Sequence, residues 1–140
     1  MSATWGVGPY DNDAAHAYLA ELSLAVPAGF ELLPVLDGEG TADLDFAQEQ
    51  YALAELVAEA IAPTVPPRMP AAAASLVERL QGDRYLATLA NSGCACLNRL
   101  LNDPYSALWQ GHDDGGLAIR RRVRALRARL HRATASPLPQ

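Results

Sequence analysis

Prolines and glycines divide this chain of 140 residues into segments whose apolar residues recur with the period of an α-helix. Pro27 and Gly29 end the first segment, the prolines between 63 and 70 end the second, and Gly82 ends the third. No segment shows a convincing strand pattern, and half of the residues are hydrophobic, which is enough to build one core. The sequence therefore predicts an all-α fold, a compact bundle of four to six helices formed by residues 1–135 as a single domain, with residues 136–140 as a disordered tail.

The periodicity predicts helices over residues 14–25, 42–62, 71–80, 84–101 and 117–131, with a short helical turn over 104–110. Asp11 or Asp13 is expected to cap the first helix, Thr41 the second and Asp83 the fourth. The apolar residues within 26–40 predict an ordered loop or a short extended piece against the core. Gly93 inside the fourth helix predicts a close helix crossing, because Gly is otherwise unfavourable in a helix interior by about 1 kcal/mol.

An aromatic and glycine-rich segment precedes the first helix. Trp5 is one of only two Trp residues, and a terminus normally frays unless side chains tie it down. We expect Trp5 to dock near Trp109, while Gly6 and Gly8 let the chain turn back over the helix start. The resulting hypothesis is a pocket for a partner or ligand, and its candidate residues are Trp5, Gly6, Gly8, Tyr10, Asp11, Asn12, Asp13 and Trp109.

The opening residues, W-G-V-G-P-Y-D-N-D from Trp5 to Asp13, resemble the signature of a bacterial family known as domain of unknown function 4259. Ser106-Ala-Leu-Trp109 is similar to that family's S-x-L-W element. Residues 52–60 and 123–130 resemble its second and terminal helices. The resemblance implies an all-helical bacterial domain, and it brings no established activity or catalytic residue.

The Asp11-Asn12-Asp13 cluster has three possible roles. Its side chains can cap the helix that follows, contact a ligand or partner, or coordinate a hard cation. A calcium loop of the EF-hand type needs a Glu at its twelfth position, and Leu22 stands there. Capping is the favoured interpretation, and we expect no bound metal and no cofactor.

The net charge of −5 hides a strong asymmetry. Residues 1–60 contain eleven acidic residues and no Lys or Arg, whereas residues 61–140 contain five acidic residues and eleven Arg. The two halves can pack against each other, or the last helix can present a basic face made of Arg120, Arg121, Arg124 and Arg127. Nucleic acid binding through that face is not favoured, because nucleic acid readers are usually net basic.

No arrangement of residues predicts catalysis. Cys94 and Cys96 lack the spacing of redox or zinc pairs, so we expect them to be small buried residues of a helix. We expect His112-Asp113-Asp114 to lie in a solvated loop. We therefore predict a non-catalytic cytoplasmic protein that binds another protein, as an immunity protein or regulator does. The alternatives are a small-molecule or metal-binding protein, or an enzyme, that uses Asp11-Asn12-Asp13, and a nucleic acid binder that uses the basic face. We expect no membrane partner, and either a monomer or a homodimer fits the apolar helices.

Overall fold

Six helices build the part of the chain that the computed structural model describes, residues 8–25, 27–38, 43–64 and 69–135. They are α1 (Asp13–Ala25), α2 (Gly29–Asp37), α3 (Leu44–Ile61), α4 (Ala71–Gln81), α5 (Leu86–Asn102) and α6 (Leu117–Ala135). No strand occurs within these ranges. The prediction of an all-α bundle is confirmed. None of the helices in the same ranges is long and apolar enough to span a bilayer.

Helix α3 is the centre of the bundle. It contacts each of the other described helices, α1, α2, α4, α5 and α6. Twelve of its 18 residues are buried, and they include the polar side chains Gln48, Gln50 and Glu59. Since a polar group inside a protein destabilises the fold unless it is hydrogen-bonded, the surrounding helices have to supply partners for these side chains.

The expectation of a loop or extended piece over residues 26–40 is wrong, because Gly29–Asp37 form helix α2. Leu32 and Leu36 pack into the core as expected, whereas Phe30 is exposed. Pro34 lies inside this helix. Pro27, Gly29 and Pro34 indicate breaks in a helix, so local sequence favoured the wrong structure here.

Groups that are distant in sequence hold both ends of α2. The Asp83 carboxylate accepts a hydrogen bond from the Gly29 N–H at 2.7 Å, and a Cβ at position 29 would collide with it. At the other end, the Gln50 side-chain amide donates to the carbonyl oxygens of Val35 (2.9 Å) and Gly38 (2.8 Å). These bonds satisfy helix-end groups that no neighbouring side chain reaches.

The predicted caps require three corrections. Asn12, not Asp11 or Asp13, caps α1, because its side-chain oxygen accepts from the Ala15 N–H at 2.7 Å. Asp43 caps α3, because its carboxylate accepts a hydrogen bond from the Phe46 N–H. The expected cap, Thr41, lies outside the described residues, and so do residues 65–68 and the predicted tail, 136–140. Helix α5 begins at Leu86 rather than directly after Asp83.

The close crossing predicted at Gly93 is confirmed. Gly93 is buried in α5, and a Cβ built there would lie 3.3 Å from Cδ1 of Leu130 in α6. Leu130 is itself fully buried. The absent side chain therefore lets α5 and α6 approach each other closely.

Replacing Gly93 with Leu should lower the free energy of unfolding by about 1–3 kcal/mol, because the new side chain has no room beside Leu130. Chemical denaturation measures the change. Ala95→Leu, at an exposed position on the same helix, is the matched control and should change stability little. Equal effects of the two substitutions would contradict the close crossing.

Candidate functional site

Four acidic side chains gather where α1 packs against the first turns of α3. Asp45 and Glu49 lie one turn apart on α3, Asp43 precedes that helix, and Glu21 comes from α1. We call Glu21, Asp43, Asp45 and Glu49 the acidic patch. Glu21, Asp43 and Asp45 are exposed, and Glu49 is half-buried.

The electrostatics of the acidic patch are unfavourable. Burial raises the pKa of Glu49 above its ordinary value, and the nearby charges of Glu21, Asp45 and Asp43 raise it further. All of these contributions act in the same direction, and the first 60 residues contain no Lys or Arg. The patch therefore concentrates negative charge, and this lowers the stability of the fold.

A tyrosine and a leucine of α1 border the patch. The Tyr18 side chain is buried, and its hydroxyl has no hydrogen-bond partner in the part of the chain that the structure describes. Burial raises the pKa of Tyr18, as do Glu49 and Glu21, so its phenol stays neutral. Leu24, one turn after Glu21, is 87 % exposed. The surface thus combines acidic groups with an exposed apolar side chain.

The Asp11-Asn12-Asp13 cluster is engaged with the backbone. Asn12 is only 3 % exposed and caps α1, and the Asp11 carboxylate accepts from the Gly8 N–H at 2.9 Å. Asp13 is exposed at the first position of α1. Among the described residues, no group of three or more His, Cys, Asp or Glu side chains is placed to hold a metal ion.

The proposed docking of the N-terminal segment can be followed only from Gly8 onward. Trp5 and Gly6 lie outside the described residues, so their contact with Trp109 stays a prediction. Pro9 and Tyr10 are buried, and the Tyr10 hydroxyl has no hydrogen-bond partner in the described ranges. Burial raises the pKa of Tyr10, and the charges of Glu55 and Glu59 add to this effect.

The contacts of Trp109 indicate a structural role. It is buried in a series of turns between α5 and α6, and its indole N–H donates to the carbonyl oxygen of Asp103 at 2.8 Å. The Arg120 guanidinium lies 5.0 Å from the centre of its ring, which is a favourable cation–π distance. Trp109 therefore fixes the start of α6 against the end of α5.

Sequence reasoning missed an ion pair inside the bundle. Glu59, on α3, is only 3 % exposed although its side chain carries a charge. The Arg129 guanidinium from α6 contacts the Glu55 carboxylate at 3.2 Å and the Glu59 carboxylate at 2.5 Å. Burial alone would raise the pKa of Glu59, but hydrogen bonds from Thr64 and Arg129 outweigh it and hold this pKa below its ordinary value. The only signal in the sequence was the charge asymmetry.

The candidate basic face divides into two pairs. Arg121 and Arg124 are exposed on α6. Arg120 stacks on Trp109, and Arg127 donates to the Asn98 side chain at 3.0 Å; both are partly buried. Half of the predicted face is thus committed to contacts within the chain.

The family model described as Domain of unknown function (DUF4259) matches residues 3–118, so the chain belongs to this family. The acidic patch lies within the matched residues, whereas nearly all of α6 lies beyond them. The resemblance at residues 123–130 is therefore not covered by the match. No curated protein and no solved structure matches the chain.

Glu49→Gln should raise the free energy of unfolding at neutral pH by roughly 0.5 kcal/mol, because it removes a half-exposed charge from among like charges. A carboxyl whose pKa is raised by folding destabilises the folded state above that pKa, and this effect disappears as the pH falls toward the unfolded-state pKa. The stability gained by Glu49→Gln should therefore become smaller as the pH falls. Urea denaturation at a series of pH values measures it, and the exposed Glu78→Gln in α4 is the control. A loss of stability in Glu49→Gln would contradict the repulsion.

Arg129→Met should lower the free energy of unfolding by roughly 3 kcal/mol at neutral pH, because Glu59 would remain buried without its cation. A carboxyl whose pKa is lowered by folding stabilises the fold above its unfolded-state pKa, and this stabilisation is lost as the pH falls through the folded-state pKa. The difference in the free energy of unfolding between Arg129→Met and the unsubstituted protein should therefore become smaller in acid. Denaturation of Arg129→Met beside Arg132→Met, exposed on the same helix, measures the effect. A difference that does not depend on pH would contradict the role of the ion pair.

Proposed function

We propose that this member of the DUF4259 family is a non-catalytic protein that binds a basic partner protein through the acidic patch. The observation that carries the proposal is the gathering of Glu21, Asp43, Asp45 and Glu49 from two helices, with every contribution to the pKa of Glu49 acting to raise it. A like-charged cluster that lowers fold stability is typical of a functional surface. A cationic partner would relieve the repulsion.

The composition of this surface also favours a protein partner. The exposed Leu24 stands one turn from Glu21, so an apolar contact is available beside the charges. Complementary charge mainly raises the rate and the specificity of association, while buried apolar side chains supply affinity. An inhibitor that has to reach a basic enzyme quickly, as an immunity protein does, would use such a surface.

The other candidate residues support binding rather than catalysis. Asn12 and Asp11 accept hydrogen bonds from the backbone. Burial raises the pKa of the Cys96 thiol to about 11, so little thiolate forms at neutral pH. Both cysteines are free, which fits work in the reducing cytoplasm of a bacterium. Among the described residues, Arg120 and Arg127 of the basic face are held by contacts within the chain, which leaves Arg121 and Arg124 and makes a nucleic acid partner the weaker proposal.

The test is native mass spectrometry of the tagged full chain, isolated gently at low ionic strength from its own host. We expect a basic protein to co-elute with the unsubstituted chain and to be lost from Glu21→Gln/Glu49→Gln. Loss of two charges from the interface should weaken binding about tenfold or more, and added salt should have a similar effect.

The matched control is Glu31→Gln/Glu78→Gln, which removes two exposed charges outside the patch and should retain the partner. If no protein co-elutes, or if the patch variant retains it as well as the control does, the proposal is wrong. Co-eluting nucleic acid that depends on Arg121 and Arg124 would favour the basic face instead.

A further inference from the structure

An apolar cavity of about 230 Å³ lies between α1, α2, α3 and α4, and none of the acidic patch residues lines it. Its wall is formed mainly by leucines: Leu22, Leu32, Leu56, Leu76 and Leu80. Each of these side chains is buried from bulk solvent. Unfilled apolar volume destabilises a fold, because the wall atoms lose packing contacts. A ligand that fills the cavity would restore those contacts.

The volume limits the size of such a ligand. An engineered apolar cavity of about 150 Å³ remains dry and binds benzene. The cavity between the helices is about half as large again, which suits an apolar body of roughly six to eight carbon atoms. Ala28 and Arg79 of its wall are exposed, so the cavity opens to solvent beside them and one end of the ligand could reach water.

Two charged side chains contribute to the wall, and only one is available to a ligand. Asp83 is engaged, because its carboxylate accepts from the Gly29 N–H at 2.7 Å and from the Tyr85 N–H at 2.8 Å. The Arg79 guanidinium, in the last turn of α4, is exposed and makes no hydrogen bond or ion pair with another described residue. The N–H groups at the start of α2 partly offset the negative charge of Asp83. An anionic head group is therefore the complement of this rim.

We propose that the cavity binds a medium-chain carboxylic acid, with its hydrocarbon tail among the five leucines and its carboxylate paired with Arg79. The guanidinium donors match the two oxygens of a carboxylate. The leucine wall distinguishes the tail only by length and shape, so the site would accept related chains of similar size. This inference does not depend on the protein partner proposed above.

Titration of the full chain with sodium octanoate, followed by two-dimensional amide NMR, tests the proposal. We expect saturable shifts around α2 and α4, and a higher melting temperature at saturation. Neutral 1-octanol should bind at least about tenfold more weakly, since it lacks the charge that Arg79 recognises. If octanoate gives no saturable shifts, or shifts elsewhere in the bundle, the site is not there.

Variants test the contributions of the hydrocarbon tail and of the carboxylate separately. Leu76→Phe should fill the cavity and abolish octanoate binding, and Leu22→Phe serves the same purpose if the first variant does not fold. Arg79→Gln should weaken octanoate about tenfold and leave 1-octanol unchanged, whereas the nearby exposed Arg84→Gln should bind both as the unsubstituted chain does. Unchanged octanoate affinity in Arg79→Gln, or in a folded Phe variant, would overturn the proposal.

Discussion

The fold depends on neutralising the charge of Glu59, which lies buried near the C-terminal end of α3. Because only 3 % of Glu59 is exposed, water can solvate its carboxylate little, and protein groups have to stabilise the charge. Arg129 brings the compensating charge from α6, and Thr64 binds the same carboxylate just beyond the end of α3. The ion pair thus determines where α6 can pack along α3, whereas a purely apolar contact would leave that position less well specified.

The positive charges of α6 and the negative charges of the acidic patch differ in how far contacts within the chain neutralise them. Much of the positive charge on α6 is engaged: Arg129 in the bundle, Arg120 on Trp109 and Arg127 on Asn98. Glu49 of the acidic patch differs, because every contribution that shifts its pKa raises it and none comes from a positive charge. This difference supports the proposal of a cationic partner at the acidic patch over an anionic partner at α6.

Sequence reasoning succeeded where structure is decided locally. The apolar period predicted α1, α3, α4, α5 and α6, and Gly93 indicated the crossing of α5 and α6. It missed α2, because the groups that hold this helix, Asp83, Gln50 and Arg99, lie outside it in sequence. The candidate site divides in the same way. Capping of α1 from within Asp11-Asn12-Asp13 follows from local chemistry, although Asn12 rather than either Asp is the cap. The acidic patch, in contrast, exists only because packing brings Glu21 beside Glu49.

The way in which α2 is held has a consequence for the order of folding. Nine residues that include an internal proline cannot form a stable helix alone. Helix α2 therefore has to wait for the turn that carries Asp83, for the body of α3, and for α5, from which Arg99 donates to the carbonyl oxygens of Leu36 and Gly38. The same dependence makes α2 a unit that can open while the rest of the bundle stays folded, and its amides should then exchange with solvent before those of α3. Leu32 forms part of the apolar cavity, so each such opening would also expose that interior for a moment. A helix that local sequence does not encode can in this way control the rate at which the inside of the protein exchanges its contents with the solution.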